Sequence, residues 1–237
     1  MQVSIDEKFR AELLQRIKER YKLQGQHRAG THLSDLIYCL TKSYWKKTVG
    51  VVLTDSEVLL FAVGLGLETV LLENVDDTHR PEPVVLDGIV LSPDYISDGT
   101  LGELKSTRLY FAKGSIEPSK GWPAGWIKQM KGYAYAQWVG AVQGAEGTEY
   151  RLAVLQVIGA QLEARRFSFT EEELLEFWAW VTDRRDVLEK ALAQMLPPEP
   201  FVYTDTGKVD DWQCRDCSMK MLCEVRLRSG QYVKAIR

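Results

Sequence analysis

Apolar and polar residues follow two different periods along the chain, and the change of period separates predicted helices from predicted strands. Near the start, apolar side chains recur every four positions, as at Phe9, Leu13 and Ile17, which predicts an amphipathic helix. Short apolar runs in the middle of the chain predict strands instead. The predicted helices span residues 5–23, 34–47, 55–73, 124–139 and 170–195, and the predicted strands span residues 84–91, 100–105, 150–158 and 163–169. This order predicts a mixed α/β core.

The last predicted helix is followed by an abrupt change in the pattern. Pro197, Pro198 and Pro200 prevent the helix from continuing, and the residues beyond them have little periodicity. A chain of 237 residues suits one principal core with appended pieces. We therefore expect an N-terminal helical segment in residues 1–50, the core in residues 51–196 and a cysteine-bearing segment in residues 197–237.

Composition narrows the class of protein. Hydrophobic residues make up 45% and charged residues 27%, which argues against a disordered or fibrous chain. The longest apolar run, residues 58–67, has ten residues, whereas a membrane span needs about 20. The first residues mix acids with bases and lack an apolar leader. We therefore expect a cytoplasmic protein without a membrane span.

Charge is distributed unevenly. The balance of Lys and Arg against Asp and Glu is 10 − 5 = +5 in residues 1–50, 1 − 10 = −9 in residues 51–100 and 6 − 2 = +4 in residues 101–131. An acidic stretch between basic ones suits a site that holds cations and receives a polyanion. Ordinary solvated surfaces produce the same fluctuation, so this pattern alone does not decide the function.

Candidate chemistry is concentrated in residues 84–107. Asp87 lies within an apolar run, where a carboxylate requires a cation or hydrogen bonds to offset the cost of burial. Glu103 and Lys105 are two positions apart on the next predicted strand, so both side chains lie on one face. If the two strands pair as a hairpin, both carboxylates converge on Mg²⁺ or Mn²⁺, with the lysine supporting phosphodiester hydrolysis. Such residues also occur as ordinary surface ion pairs.

Two further segments carry polar residues with helical spacing. Glu68 ends an otherwise apolar helical face, and Gln129 and Tyr133 are one turn apart, so their side chains project from the same face. The alternatives are a solvent-exposed glutamate and a tyrosine packed in the core.

The order of these elements resembles the RecB-type branch of the PD-(D/E)xK nuclease superfamily. The resemblance implies a restriction-endonuclease-like core, in which a mixed sheet is flanked by helices. It also implies roles for particular residues. Metal ligands would be Glu68, Asp87, Glu103 and the backbone carbonyl of Leu104. Lys105 would be the catalytic lysine, and Gln129 and Tyr133 would assist at the DNA. Many relatives have a histidine where this chain has Glu68.

Four cysteines complete the pattern. Cys214 and Cys217 are separated by two residues, the Cys-x-x-Cys spacing of a metal site. Cys223 follows them, and Cys39 lies far upstream. This arrangement is similar to that of the CRISPR-associated RecB-like iron–sulfur exonuclease family, which implies a structural 4Fe-4S cluster. Zinc at Cys214 and Cys217 and a merely buried Cys39 are the alternatives.

The resemblance implies a metal-dependent DNA exonuclease. It would hydrolyse single-stranded DNA in the 5′-to-3′ direction, with endonuclease activity as a further expectation, during CRISPR spacer acquisition or phage and mobile-element recombination. The alternative is a catalytically silent DNA-binding scaffold that partners a DNA integrase. The intact carboxylates and lysine argue against this alternative, whereas DNA binding without turnover, whatever the metal, would favour it.

Overall fold

The computed structural model describes residues 7–25, 29–50, 55–72, 78–107, 121–157, 161–198, 214 and 217–230. Its helices are α1 (Glu7–Gly25), α2 (Leu33–Ile37), α3 (Leu40–Thr48), α4 (Asp55–Leu72), α5 (Ala124–Trp138), α6 (Glu171–Gln194) and α7 (Lys220–Ser229). Its strands are β1 (Thr31–His32), β2 (Thr78–His79), β3 (Val84–Leu86), β4 (Ile89–Leu91), β5 (Tyr95–Ser97), β6 (Thr100–Thr107), β7 (Glu149–Gln156) and β8 (Gln161–Ser168). The predicted ends at residues 5, 73 and 158 lie outside the described residues. Over the described ranges, no helix is long and apolar enough to cross a membrane.

The larger sheet has five strands in the order β2-β5-β6-β7-β8. Strands β6 and β7 are parallel, with Glu103 opposite Leu152, and α5 lies between them in the chain. The other neighbours in this sheet are antiparallel. A parallel pair requires a crossover connection, and α5 supplies it. The predicted mixed α/β class is confirmed.

A smaller sheet contains β1, β4 and β3 in that order. Strands β3 and β4 form an antiparallel hairpin in which Leu86 is opposite Ile89. The turn consists of Asp87 with φ 49° and Gly88 with φ 73°, the left-handed conformations that a two-residue Asp-Gly hairpin requires. The prediction of one strand over residues 84–91 is therefore wrong. Its predicted pairing with residues 100–105 is also wrong, because β6 pairs with β5 and β7.

Helices α5 and α6 pack with the α2–α3 segment in one core. In β7 the buried side chains alternate, at Tyr150, Leu152 and Val154, as expected for a strand with one covered face. Helix α6 begins at a capping box: the Glu173 backbone N–H donates to the Thr170 hydroxyl at 3.2 Å, and the Glu173 carboxylate accepts from the Thr170 N–H at 3.0 Å. The Thr and glutamates that predicted this helix start are confirmed as its cap.

The predicted helix over residues 34–47 is divided in two. Helix α2 ends at Ile37 and α3 begins at Leu40, so Tyr38 and Cys39 lie in the link between them. The buried guanidinium of Arg184 in α6 donates to the backbone carbonyls of Leu36 and Tyr38. Carbonyls at a helix end lack partners within the helix. The buried cation satisfies them and fixes the link.

Candidate active site

The centre of β6 carries a buried pair of opposite charges. Glu103 and Lys105 lie on one face of the strand, and their side chains are 4% and 20% exposed. The Lys105 ammonium donates to the Glu103 carboxylate. Ionised side chains are rarely buried at the centre of a core sheet unless they are paired, and a buried pair is weak evidence for stability. This pair is therefore a candidate for function.

Helix α5 adds an amide to the pair. Gln129 Nε2 donates to Glu103 Oε1 at 2.8 Å, and Lys105 Nζ donates to Gln129 Oε1 at 3.0 Å. Gln129 Nε2 also lies 3.3 Å from the Tyr133 hydroxyl oxygen, and that hydroxyl donates to the Ser92 carbonyl at 3.1 Å. The structure therefore brings together four of the residues singled out from the sequence. Their roles in catalysis remain predictions.

Asp94, a residue that the sequence interpretation missed, lies beside this group. Its Oδ2 accepts a hydrogen bond from the Leu104 backbone N–H at 2.8 Å. The pKa of Glu103 is raised mainly by burial, and the negative charge of Asp94 raises it as well. The sequence did contain a signal for Asp94, because Pro93-Asp94 followed by Glu103-Leu104-Lys105 matches the PD-(D/E)xK pattern. Asp94 thus lies where Asp87 was expected.

Asp87 itself lies elsewhere. It is exposed in the turn of the β3–β4 hairpin, and its carboxylate accepts from Trp178 Nε1 of α6 at 2.8 Å. Its backbone carbonyl accepts from the Arg185 guanidinium. The expected convergence of Asp87 and Glu103 depended on the strand pairing that the structure contradicts, and the Asp-Gly turn is the physical reason. This placement gives Asp87 a role in joining the hairpin to α6.

The two remaining predicted ligands have other contacts. Glu68 lies on α4, and its carboxylate pairs with the Arg80 guanidinium. Helix α4 approaches β6 one turn earlier, where a Cβ on Gly64 would stand 3.9 Å from the Ser106 hydroxyl oxygen. Leu104 is held through its N–H, as described for Asp94. The metal-binding roles of Glu68 and of the Leu104 carbonyl remain predictions.

Electrostatics make the Glu103 carboxyl receptive to a cation. The pKa of Glu103 is raised to about 7, and burial is the largest cause. Lys105 lowers this pKa, and Asp94 raises it. Tyr150 places its hydroxyl 3.5 Å from Glu103 Oε2. Burial lowers the pKa of Lys105, but Glu103 and Asp94 raise it by more. The net pKa is therefore raised, and the side chain stays a charged ammonium. One lysine does not fully compensate two carboxylates in a buried site.

The carboxylates suit a divalent ion in donor type. Asp94 and Glu103 offer the oxygen ligands that Mg²⁺ and Mn²⁺ prefer, and these ions retain water and phosphate oxygens as further ligands. Within the described ranges, no three His, Cys, Asp or Glu side chains form a group that could hold a metal ion. The described site therefore provides two protein carboxylates for such an ion.

The four cysteines come from both ends of the chain and approach one another. Cys39 precedes α3, and Cys223 lies in α7. The Cys217 backbone N–H donates to the Cys214 carbonyl at 3.3 Å, which forms a turn. Burial raises the pKa of the Cys223 thiol to about 12, and the other three thiols raise it as well. The sulfurs of the other three cysteines are therefore within electrostatic reach of Cys223.

Trp45 gives this group a buried donor. Its indole N–H is buried, and none of the described residues accepts a hydrogen bond from it. The indole is close enough to Cys223 to lower the pKa of that thiol, which opposes the effect of burial. A buried donor without an acceptor costs about 1–3 kcal/mol. A negatively charged sulfur at Cys223 would relieve that cost, so this environment fits metal-bound thiolates.

Comparisons with known proteins give a likeness of fold. No family model matches the chain, and no curated protein matches it. The crystal structure of SSO0001 matches with a TM-score of 0.51 and 16% sequence identity, over 90% of this chain and 95% of that one. The two chains share a fold. An alkaline exonuclease (LHK-Exo) from Laribacter hongkongensis has a TM-score of 0.47 and 13% identity, over 70% of this chain and 91% of that one. LHK-Exo in complex with dAMP has a TM-score of 0.44 and 14% identity, over 66% and 80%.

Proposed function

We propose that this protein is a metal-dependent nuclease that hydrolyses phosphodiester bonds in single-stranded DNA. One observation carries the proposal: the buried Glu103 carboxylate bonds to both Lys105 and Gln129, with Asp94 beside it. Two carboxylates and an ammonium in one group, with Glu103 buried at its centre, match the needs of phosphoryl chemistry, in which a cation and a positive side chain stabilise developing negative charge.

Each residue has a distinct role in this proposal. Asp94 and Glu103 hold Mg²⁺ or Mn²⁺, which when bound supplies a Lewis acid for the phosphodiester. Lys105 provides a fixed positive charge for the oxygen that becomes negative during bond cleavage. Gln129 fixes the side chains of Lys105 and Glu103 relative to each other through one hydrogen bond to each, and Tyr133 contacts the Gln129 amide.

The cysteines bind a structural 4Fe-4S cluster in this proposal. The other three thiols all influence the pKa of Cys223, which supports a shared site for the four cysteines. The Trp45 donor supports a charged sulfur at Cys223. The cluster would tie α3 to the C-terminal segment.

The finer role rests on the resemblance seen in the sequence. We propose that the enzyme degrades single strands from the 5′ end, in CRISPR spacer acquisition or in recombination of a phage or mobile element. A DNA integrase complex is the expected partner in the first setting. The roles of Glu68 and the Leu104 carbonyl as further metal ligands belong to the same proposal.

A comparison of two aspartates tests the function. Labelled single-stranded DNA is incubated with Mg²⁺ or Mn²⁺ and with wild type, Asp94→Asn, Lys105→Ala or Asp87→Asn. We expect the first two variants to lose at least about 100-fold in rate, since each removes a group that stabilises the transition state. Asp87→Asn is the matched control, because it makes the same change at the hairpin turn, and it should keep wild-type activity.

Three outcomes would contradict parts of the proposal. Activity in Asp94→Asn together with its loss in Asp87→Asn would overturn the assignment of the aspartates. DNA binding without cleavage by wild type, whatever the metal, would favour the scaffold instead. For the cysteines, anaerobic purification should give a brown protein that contains iron and sulfide, with the iron lost in Cys223→Ser. Stoichiometric zinc in a colourless protein would exclude the cluster.

A further inference from the structure

Tyr38 lies in the link between α2 and α3, and its backbone is held in place. The residue is extended, with φ −105° and ψ −158°. Its carbonyl accepts from the buried Arg184 guanidinium, which also binds the Leu36 carbonyl. Arg184 is only 3% exposed, so this contact is shielded from water. The link therefore presents Tyr38 in a defined orientation.

The Tyr38 ring lies against the first turn of α5. A Cβ added to Gly125 would stand 2.5 Å from Tyr38 Cε1 and 2.8 Å from its hydroxyl oxygen. Gly125 is four residues before Gln129 and eight before Tyr133, so all three share one helix face. The Tyr38 hydroxyl therefore lies on the face of α5 that carries the candidate active site. A side chain at position 125 would therefore require the Tyr38 ring to move.

Charge interactions agree with this placement. Tyr38 interacts electrostatically with the Lys105 ammonium and with the Glu103 carboxylate. Burial raises the pKa of Tyr38, Lys105 lowers it and Glu103 raises it, with a net increase. Tyr38 is half-buried rather than enclosed. A phenol hydroxyl at this position can donate one hydrogen bond toward a group that enters beside Lys105.

We propose that Tyr38 is a further residue of the active site, whose hydroxyl donates a hydrogen bond to the phosphate of the nucleic-acid substrate beside Lys105. This inference rests on the proposed nuclease function and adds a substrate contact to it. Gly125 is then a positioning residue, because a side chain there would displace the Tyr38 ring. Since Cys39 is the next residue, the cysteine group and the phosphate contact are parts of one segment.

Three variants test this contact on single-stranded DNA: Tyr38→Phe, Gly125→Ala and the double variant. We expect Tyr38→Phe to lower kcat by at least about tenfold, as for loss of a donor to developing charge, with an unchanged unfolding midpoint. Gly125→Ala should lower kcat similarly, because its methyl group displaces the ring. The double variant should be no worse than either single one, since both changes remove the same contact. Tyr135→Phe, on another face of α5, is the matched control and should behave as wild type.

Outcomes for Tyr38 and for the nuclease function are separable. An active wild type with an unchanged kcat in Tyr38→Phe overturns the tyrosine contact alone. An inactive wild type overturns the nuclease proposal, and oligonucleotide affinity then decides about the tyrosine: equal affinities of wild type and Tyr38→Phe would reject it. Additive losses in the double variant would also reject it, because they would show that Gly125 acts independently of the ring.

Discussion

Replacing Glu103 by glutamine should stabilise the metal-free protein in a strongly pH-dependent way. Burial raises the pKa of Glu103 from 4.5 to about 7. Between these values the folded protein binds a proton that the unfolded chain releases, so the free energy of unfolding falls as pH rises through this window. A difference of about 2.5 units corresponds to about 3 kcal/mol at a pH above 7. Glutamine is neutral at every pH and does not carry this cost.

Urea unfolding with a chelator present measures the effect, with tryptophan fluorescence as the signal. We expect Glu103→Gln to exceed wild type in unfolding free energy by about 3 kcal/mol near pH 8, and this excess should vanish near pH 4.5. Glu176→Gln, at an exposed position on α6, is the control and should differ little from wild type at either pH. A difference between Glu103→Gln and wild type that is independent of pH would refute the assigned burial of the charge.

Three other predictions follow from particular contacts. Mg²⁺ affinity should increase as pH rises through about 7, because Glu103 must lose its proton to bind a cation. Calorimetric titrations at two pH values check this prediction, and equal affinities at both would contradict it. Gln137→Leu should cost about 3 kcal/mol of stability, because the buried amide bonds to one backbone N–H and three carbonyls. A loss below about 1 kcal/mol in urea unfolding would contradict this, since it would show that water takes over the hydrogen bonds of the amide. Gly132→Ala should cost about 1–3 kcal/mol, since its Cβ would stand 2.5 Å from Leu33 Cδ2, whereas Gly66→Ala on the exposed side of α4 has no such neighbour and should not destabilise.

The parts of the site that the sequence predicts are those governed by spacing within one element. Glu103 and Lys105 are two apart on a strand, and Gln129 and Tyr133 are four apart on a helix, so local geometry places each pair on one face. That helix and strand then meet because both have apolar residues to bury. The contacts among these four side chains agree with this reasoning.

The choice between Asp87 and Asp94 shows where local reasoning ends. The apolar residues on both sides of Asp87 are compatible with one long strand, yet Asp-Gly is also a strong turn signal. Which strand lies next to β6 is decided by packing over the whole sheet. A shift in that pairing moves a different aspartate beside Glu103. The same limit applies to the contact of Tyr38 with Gly125, because no local period relates residues so distant in sequence.

Contacts between the early residues of the chain and its late helix impose an order on folding. Thr41 donates to the Pro198 carbonyl at 3.0 Å, a contact across 157 positions, and Arg184 reaches Leu36 across 148. A ribosome that adds about 5–20 residues per second needs roughly 10–30 s to synthesise that interval. During this time the side chains of α2 that pack on α6 have no final partner. Exposed apolar surface makes incomplete chains prone to aggregation, so this part of the N-terminal segment is most exposed to that risk until α6 emerges.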